Sequence, residues 1–251
     1  MPVIPLHSAM QPYSAVVLGS TGNVGRQIVN LLAASPIVNL VVVVNRRRTG
    51  EFKGMTKARE VVVPDMDKLA EAAESAAREA AASVGFCAIG VGKGSQSMSQ
   101  AEVRKIEVQY PEAFAKGCKA GGVVSLGLMT AVGADIKSSF AYVRIIGEKE
   151  NAVRRVGIPA LGIYKPSVIF GNSNTPPYLH YLFPAVQPIL PSRYHSIHKN
   201  ELARAMFEGT QKALAALQQR QPQGGVLPEP EVKTYEYGDM KAYFNKDDPK
   251  D

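Results

Sequence analysis

With 251 residues and a net charge of +7, the chain is about one and a half times the roughly 150 residues of an average domain, which favours one large domain, or a core with a small annex. Hydrophobic residues at 45% and charged residues at 20% describe an ordinary globular protein whose basic balance admits a polyanionic partner. The apolar run Pro36 to Val44 is far short of the ~20 residues of a membrane helix, and the opening MPVIPLHSAM has neither a signal-peptide core nor an Arg-rich presequence, so no membrane span is expected and the cytoplasm is.

Ser14 to Leu18 reads as a short buried strand that runs into GSTGNVG and then the helical pattern RQIVNLLAAS. Ser35-Pro36 ends that helix, and Asn39 to Val44 is a second apolar strand, completing a βαβ unit. Asp65 to Ala82, rich in Ala and Glu, suits a largely exposed helix. Val84 to Ile89 is a strand, Ala101 to Lys119 a helix interrupted or restarted at Pro111, and Val123 to Met129 a further strand. A helix over Ser138 to Val156 and a strand over Ala160 to Tyr164 continue the alternation. The pattern predicts an α/β fold, a Rossmann-type doubly wound parallel sheet with helices on both faces.

The core is expected over about residues 13–165. From Pro166 on, prolines break the chain into a small substrate-side annex, which is followed by an amphipathic helix over Glu201 to Gln219. The tail after Val232 is expected to add an edge strand and a short helix.

Gly19, Gly22 and Gly25 form G-x-x-G-x-x-G between strand and helix. Glycine lets the turn tighten, lets backbone N–H groups approach a pyrophosphate and lets the helix pack on the strand. The turn Gly19-Ser20-Thr21-Gly22-Asn23-Val24-Gly25 is therefore the candidate dinucleotide cradle, the alternative being a tight turn whose glycines serve only packing. A carboxylate about 20 residues beyond such a turn would take the 2′-hydroxyl of NAD, whereas arginine accommodates a 2′-phosphate. That window here reads Asn45-Arg46-Arg47-Arg48, so NADP(H) is favoured over NAD(H), with Arg46 and Arg47 as phosphate ligands. This basic cluster fits a phosphate-sized target as economically as a nucleic acid, which is not expected as a partner.

The chain resembles the atypical short-chain dehydrogenase/reductases, specifically the Tat-interacting oxidoreductase-like group related to the NmrA-like proteins. The likeness runs from about Ser14 to Met206. It is carried by VVLGSTGNVG, VVNRRR, GFCAIGVGKG, the GAD at Gly133 followed by Tyr142, the GEKE at Gly147, Lys165-Pro166-Ser167 followed by Phe170-Gly171, and HSIHKNELARAM. The resemblance implies a Rossmann-type cofactor domain in which Ala88-Ile89-Gly90 lines the adenine and ribose side, with Lys165 and Pro166 also facing the cofactor.

It further implies an active centre of Ser, Tyr and a Lys four residues after the Tyr. The tyrosine acts as acid or base, the serine bonds the reacting oxygen, and the lysine lowers the phenol pKa and holds the nicotinamide ribose. Tyr142 stands at the tyrosine position and Thr130, twelve before it, keeps a hydroxyl, but Ile146 stands where the lysine belongs. On a helix, a group four positions on lies ~40° round and ~6 Å along, within reach of one site, whereas Lys149, seven on, lies ~10.5 Å along, and Arg144 points nearly away. Lys93 or Lys165 remains as a cation that approaches from a loop. Without a cation beside it a phenol of pKa near 10 is almost wholly protonated at neutral pH, so the centre is expected to turn over slowly or not at all.

His195 and His198 precede a helix and read as loop or capping residues. Cys87 reads as a buried small hydrophobe, and Cys118 has no evident activating partner beyond Lys116 and Lys119. Tyr178, Tyr181 and Phe183 either line a substrate cleft or pack under their own loop. Two readings stand: an NADP(H)-binding oxidoreductase with a degenerate centre acting on an unidentified carbonyl or hydroxyl compound, or a nucleotide-sensing scaffold for protein partners.

Overall fold

A computed structural model describes residues 10–92, 97–171, 183, 186–220 and 229–244. Among the described residues, seven strands form one wholly parallel sheet: β1 (Tyr13–Leu18), β2 (Val38–Asn45), β3 (Ala58–Val62), β4 (Ala82–Cys87), β5 (Ser125–Met129), β6 (Ala160–Tyr164) and β9 (Glu231–Tyr235), in the order β3-β2-β1-β4-β5-β6-β9. A small parallel pair, β7 (Ile169–Phe170) with β8 (Ile197–His198), belongs to the annex after β6.

The doubly wound layering follows from side-chain alternation on β2. Val41 and Val43 face one core with Val17, Phe86, Ile28 and Leu32, while Val42 and Val44 face the other with Leu18, Leu69, Phe114 and Leu128. A fully buried Val or Leu contributes about 1.5–3 kcal/mol, so apolar residues on both faces require a helical layer on each. Helices α1 (Asn23–Ala34) and α6 (Lys199–Gln219) cover the first face. Helices α2 (Leu69–Glu79), α4 (Tyr110–Ala120) and α5 (Ala141–Val156) cover the second.

Several expectations are adjusted. The Ala-rich helix is not largely exposed. Leu69, Ala73, Ala76 and Ala77 are buried, because small side chains let α2 and α4 approach until a Cβ on Gly117 would strike the Ala70 carbonyl. Helix α5 starts at Ala141 rather than Ser138, with Phe140 as its N-cap. The break expected at Pro111 is a π-helical stretch, Lys105–Gln109, between α3 (Gln100–Arg104) and α4, with Pro111 in the first turn of α4. Edge strand β3 is half exposed and lacked a period to announce it.

Strand order reverses between β1 and β4, the point at which an open parallel sheet leaves a crevice at its carboxyl edge. Leu18, Asn45 and Cys87 end their strands there.

Candidate functional site

The glycine turn forms the floor of this crevice. Gly19 has a left-handed φ of +86°, and a Cβ on it would lie 2.7 Å from the backbone of Ala88 and Ile89. A Cβ on Gly25 would strike the Gly19 carbonyl, so the first turn of α1 lies directly on the loop. Helix α1 has Gly22 as N-cap without a side-chain cap, which leaves its first amides for an anionic group. A cleft of about 390 Å³ opens above, lined among others by Gly19, Thr21, Asn45, Arg46, Arg47, Ile89 and Gly90. Ser20, Val24 and Ala88 are buried beside it.

A polar network not foreseen from the sequence holds the rim. Ser20 Oγ donates to Asn45 Oδ1 at 2.8 Å, and Asn45 Nδ2 donates to Glu60 Oε1 at 2.8 Å. The Thr49 amide and hydroxyl reach the same oxygen at 2.9 and 3.0 Å. Desolvation pushes the Glu60 carboxyl up, but these donors outweigh it and hold the group below the ordinary range. Because Asn45 and Glu60 are 15 residues apart and on neighbouring strands, no local spacing rule reveals the contact.

Tyr142 lies in the first turn of α5 and is 47% exposed. Desolvation, followed by the Glu107 carboxylate, pushes its phenol up to about 12. Ile146 is buried in the core and gives no cation. Lys149 is fully buried, with Nζ 3.0 Å from Glu107 Oε2 and 3.0 Å from the Ile89 carbonyl. Lys165 Nζ lies 3.0 Å from Glu150 Oε1, which also accepts from Thr130 Oγ1 at 2.9 Å. Arg144 donates to the Ser138 carbonyl at 2.7 Å.

Lys149, set aside on helix geometry, and Lys165, the described loop candidate, are thus both engaged with carboxylates, and the Thr130 hydroxyl is donated to Glu150. Pro166 follows Lys165 beyond β6, outside the lining of the cleft. Lys93, Tyr178 and Tyr181 lie outside the described residues, while Phe183 packs edge-on to Phe170 at 6.0 Å. Glu107 escaped the sequence reading because the π-helical stretch shifts its facing away from a 3.6 period.

Both cysteines are buried; burial pushes the Cys87 thiol up to about 11 and that of Cys118 well above its ordinary value, so neither is poised as a nucleophile. His198 caps α6, its Nδ1 accepting from the Asn200 amide at 3.4 Å. His195 Nε2 lies 3.1 Å from the Leu190 carbonyl. No group of three potential metal ligands, and no helix long and apolar enough to cross a membrane, occurs among the described residues.

No protein-family model matches the chain. It is 29% identical over 236 residues to "Protein FMP52-1, mitochondrial" of Scheffersomyces stipitis, a match covering 93% of this chain and 99% of that protein. It is 29% identical over 161 residues to "Protein HTATIP2" of Rattus norvegicus, covering 64% of each chain. Among solved structures it is similar to a short-chain dehydrogenase/reductase family oxidoreductase from Burkholderia thailandensis, with a TM-score of 0.58, 14% identity and coverage of 92% of this chain and 94% of that one. It is also similar to MoeE5 in complex with UDP-glucose and NAD, with a TM-score of 0.57, 14% identity and coverage of 89% and 85%. The parallel sheet wound around a glycine-turn crevice is the fold of the short-chain dehydrogenase/reductase structure, and the chain is similar along most of its length to the fungal relative and over 64% of it to the rat one.

Proposed function

We propose that the chain binds NADP(H) in the crevice at the ends of β1 and β2 and is a reductase-like protein for a carbonyl or hydroxyl substrate, with turnover weakened by Ile146. The observation that carries this reading is the rim of the cleft: neutral Asn45 ends β2, and Arg46 and Arg47 line the space beside it. A carboxylate at the end of β2 would repel a 2′-phosphate, whereas guanidinium groups bind one through charge-assisted hydrogen bonds. The glycine cradle and the uncapped start of α1 fit the pyrophosphate. MoeE5, which shares the fold, was solved with NAD, in keeping with a nicotinamide dinucleotide as the ligand class.

When bound, the nicotinamide would supply or accept a hydride. The chain's own contribution is Tyr142, whose phenol retains its proton through neutral pH and is suited to donating to a carbonyl oxygen, not to abstracting from an alcohol. Thr130, Lys149 and Lys165 are each engaged with a buried carboxylate, which favours the second reading, a nucleotide-sensing scaffold, wherever turnover is absent. The name of the fungal relative points to mitochondria, so fractionation must decide between that compartment and the cytoplasm.

Titration of the protein with NADPH and NADH by nicotinamide fluorescence tests the reading. Tighter binding of NADPH, weakened about 10- to 100-fold by Arg46→Ala with Arg47→Ala while NADH is little affected, is expected. Equal affinity for the two nucleotides, or no binding, overturns it.

A further inference from the structure

Glu107, which also helps to raise the Tyr142 phenol, and Lys149 are both fully buried and 42 residues apart in sequence. Burying two charges costs several kcal/mol per ion before their attraction is counted, and well-packed apolar residues of similar volume often serve stability as well or better. Their remaining bonds are to the loop that leaves β4: Glu107 Oε1 accepts from the Val91 amide at 3.0 Å, and Lys149 Nζ donates to the Ile89 carbonyl at 3.0 Å. These two groups flank Gly90, where a Cβ would come within 3.2 Å of Glu107 Oε1. Ile89 and Gly90 line the cleft, and the Ala88–Ile89 backbone is the surface against which Gly19 packs.

We propose that Glu107 and Lys149 are a positioning pair that fixes the Ile89–Val91 backbone and thereby sets the affinity of the cleft for a nicotinamide nucleotide. The nucleotide part of this inference rests on the reading proposed above. The π-helical stretch belongs to the same device, since it is there that Glu107 turns inward to the loop, while Ile106 and Tyr110 line the cleft.

The test is the paired variant Glu107→Leu with Lys149→Met, which removes both charges together and leaves neither unpaired. Hydrogen exchange at the Val91 amide, NADPH titration and thermal unfolding are measured. Expected are an unchanged or raised Tm, Val91 exchange faster by about tenfold or more, and NADPH binding weaker by about tenfold. Glu107→Gln with Lys149→Met, which keeps an acceptor for Val91, should recover most of the affinity. Exchange and affinity equal to wild type in the apolar pair overturn the proposal. A lowered Tm with unchanged affinity of the folded protein also overturns it and marks the pair as structural. Absence of NADPH binding in the wild type defeats the cofactor reading, and Val91 exchange then decides whether the pair fixes the loop.

Discussion

Ser20 Oγ donates to Asn45 Oδ1 at 2.8 Å, which ties the glycine turn to the end of β2. Asn45 is suited to this place because its amide accepts from Ser20 while donating to Glu60. Aspartate would keep the first bond and lose the second, setting two carboxylates face to face. Asn45→Asp is therefore expected to weaken NADPH binding about tenfold and to cost about 1–3 kcal/mol at neutral pH. One carboxyl of the new pair would have its folded pKa raised above the unfolded value. The variant should thus be nearest to wild type below the ordinary carboxylate pKa and lose ground as pH rises through the raised value. Denaturant unfolding across pH 4 to 8 checks this, and a deficit that does not change with pH would refute the contact.

The wild type has the opposite dependence at Glu60. Its folded carboxyl lies below the ordinary range, so the stabilisation is present above the unfolded pKa and fades as pH falls through the folded one. Glu60→Gln should flatten the acid limb of the stability profile without altering the alkaline limb. An unchanged acid limb in that variant would mean that the donors around Glu60 are not formed in solution.

A second buried bond ties β1 to α6: Gln211 Nε2 donates to Tyr13 Oη at 2.6 Å. Tyr13→Phe leaves the amide without its acceptor and should cost about 1–3 kcal/mol, as should Gln211→Leu, which strands the hydroxyl. The double variant should be less destabilised than the sum, because two apolar groups have nothing left to satisfy. Additive losses in a double-mutant cycle would contradict the bond.

How far these features were legible depends on the range of the interactions. The βαβ unit could be read because its signals are local: Val41 to Val44 form an unbroken buried run, and Gly19, Gly22 and Gly25 stand between a strand and a helix. Tyr142 and Ile146 were named through the family resemblance, whose four-residue spacing falls within one helix. Glu107 and Glu60 were not found. The first is turned inward by a π-helical stretch that defeats a 3.6 period, and the second meets Asn45 through parallel strand pairing. Lys149 was named, but helix geometry places it relative to Tyr142 and is silent about a carboxylate on another helix.

The alkaline limb is expected to be steep. Tyr13 has its phenol pushed up to about 12 by desolvation, with the bond from Gln211 pulling the other way, and burial also raises Tyr164 and Tyr235, stacked at 4.5 Å. For an acid with a raised folded pKa, the stabilisation is fully present below the unfolded value near 10 and is lost as pH rises through the folded value. Stability should hold to about pH 10 and then fall. Unfolding followed by tyrosinate absorbance should show the two transitions together, and titration of these phenols in the folded state near pH 10 would refute their burial.

Ile146→Lys places a cation where the reductases that the chain resembles carry one, at a place now fully buried. The new ammonium is expected to lower the Tyr142 phenol from about 12 and so counter the desolvation and the Glu107 charge that raise it. General acid–base tuning is worth about 10² to 10⁴ in rate, so hydride transfer with a screened carbonyl or alcohol substrate should increase by a factor in that range. A buried lysine without its own carboxylate has a depressed pKa, so its cost to stability is full below that value and vanishes above the ordinary lysine range. The wild type, with its phenol protonated, should show a reductive rate that is flat from neutral pH to about 10, where the alkaline loss of stability begins, whereas the variant should gain an inflection at lower pH. A pH–rate profile and a phenol titration of both proteins check this together. A phenol that stays near 12 in a folded Ile146→Lys protein would mean that Ile146 does not face Tyr142.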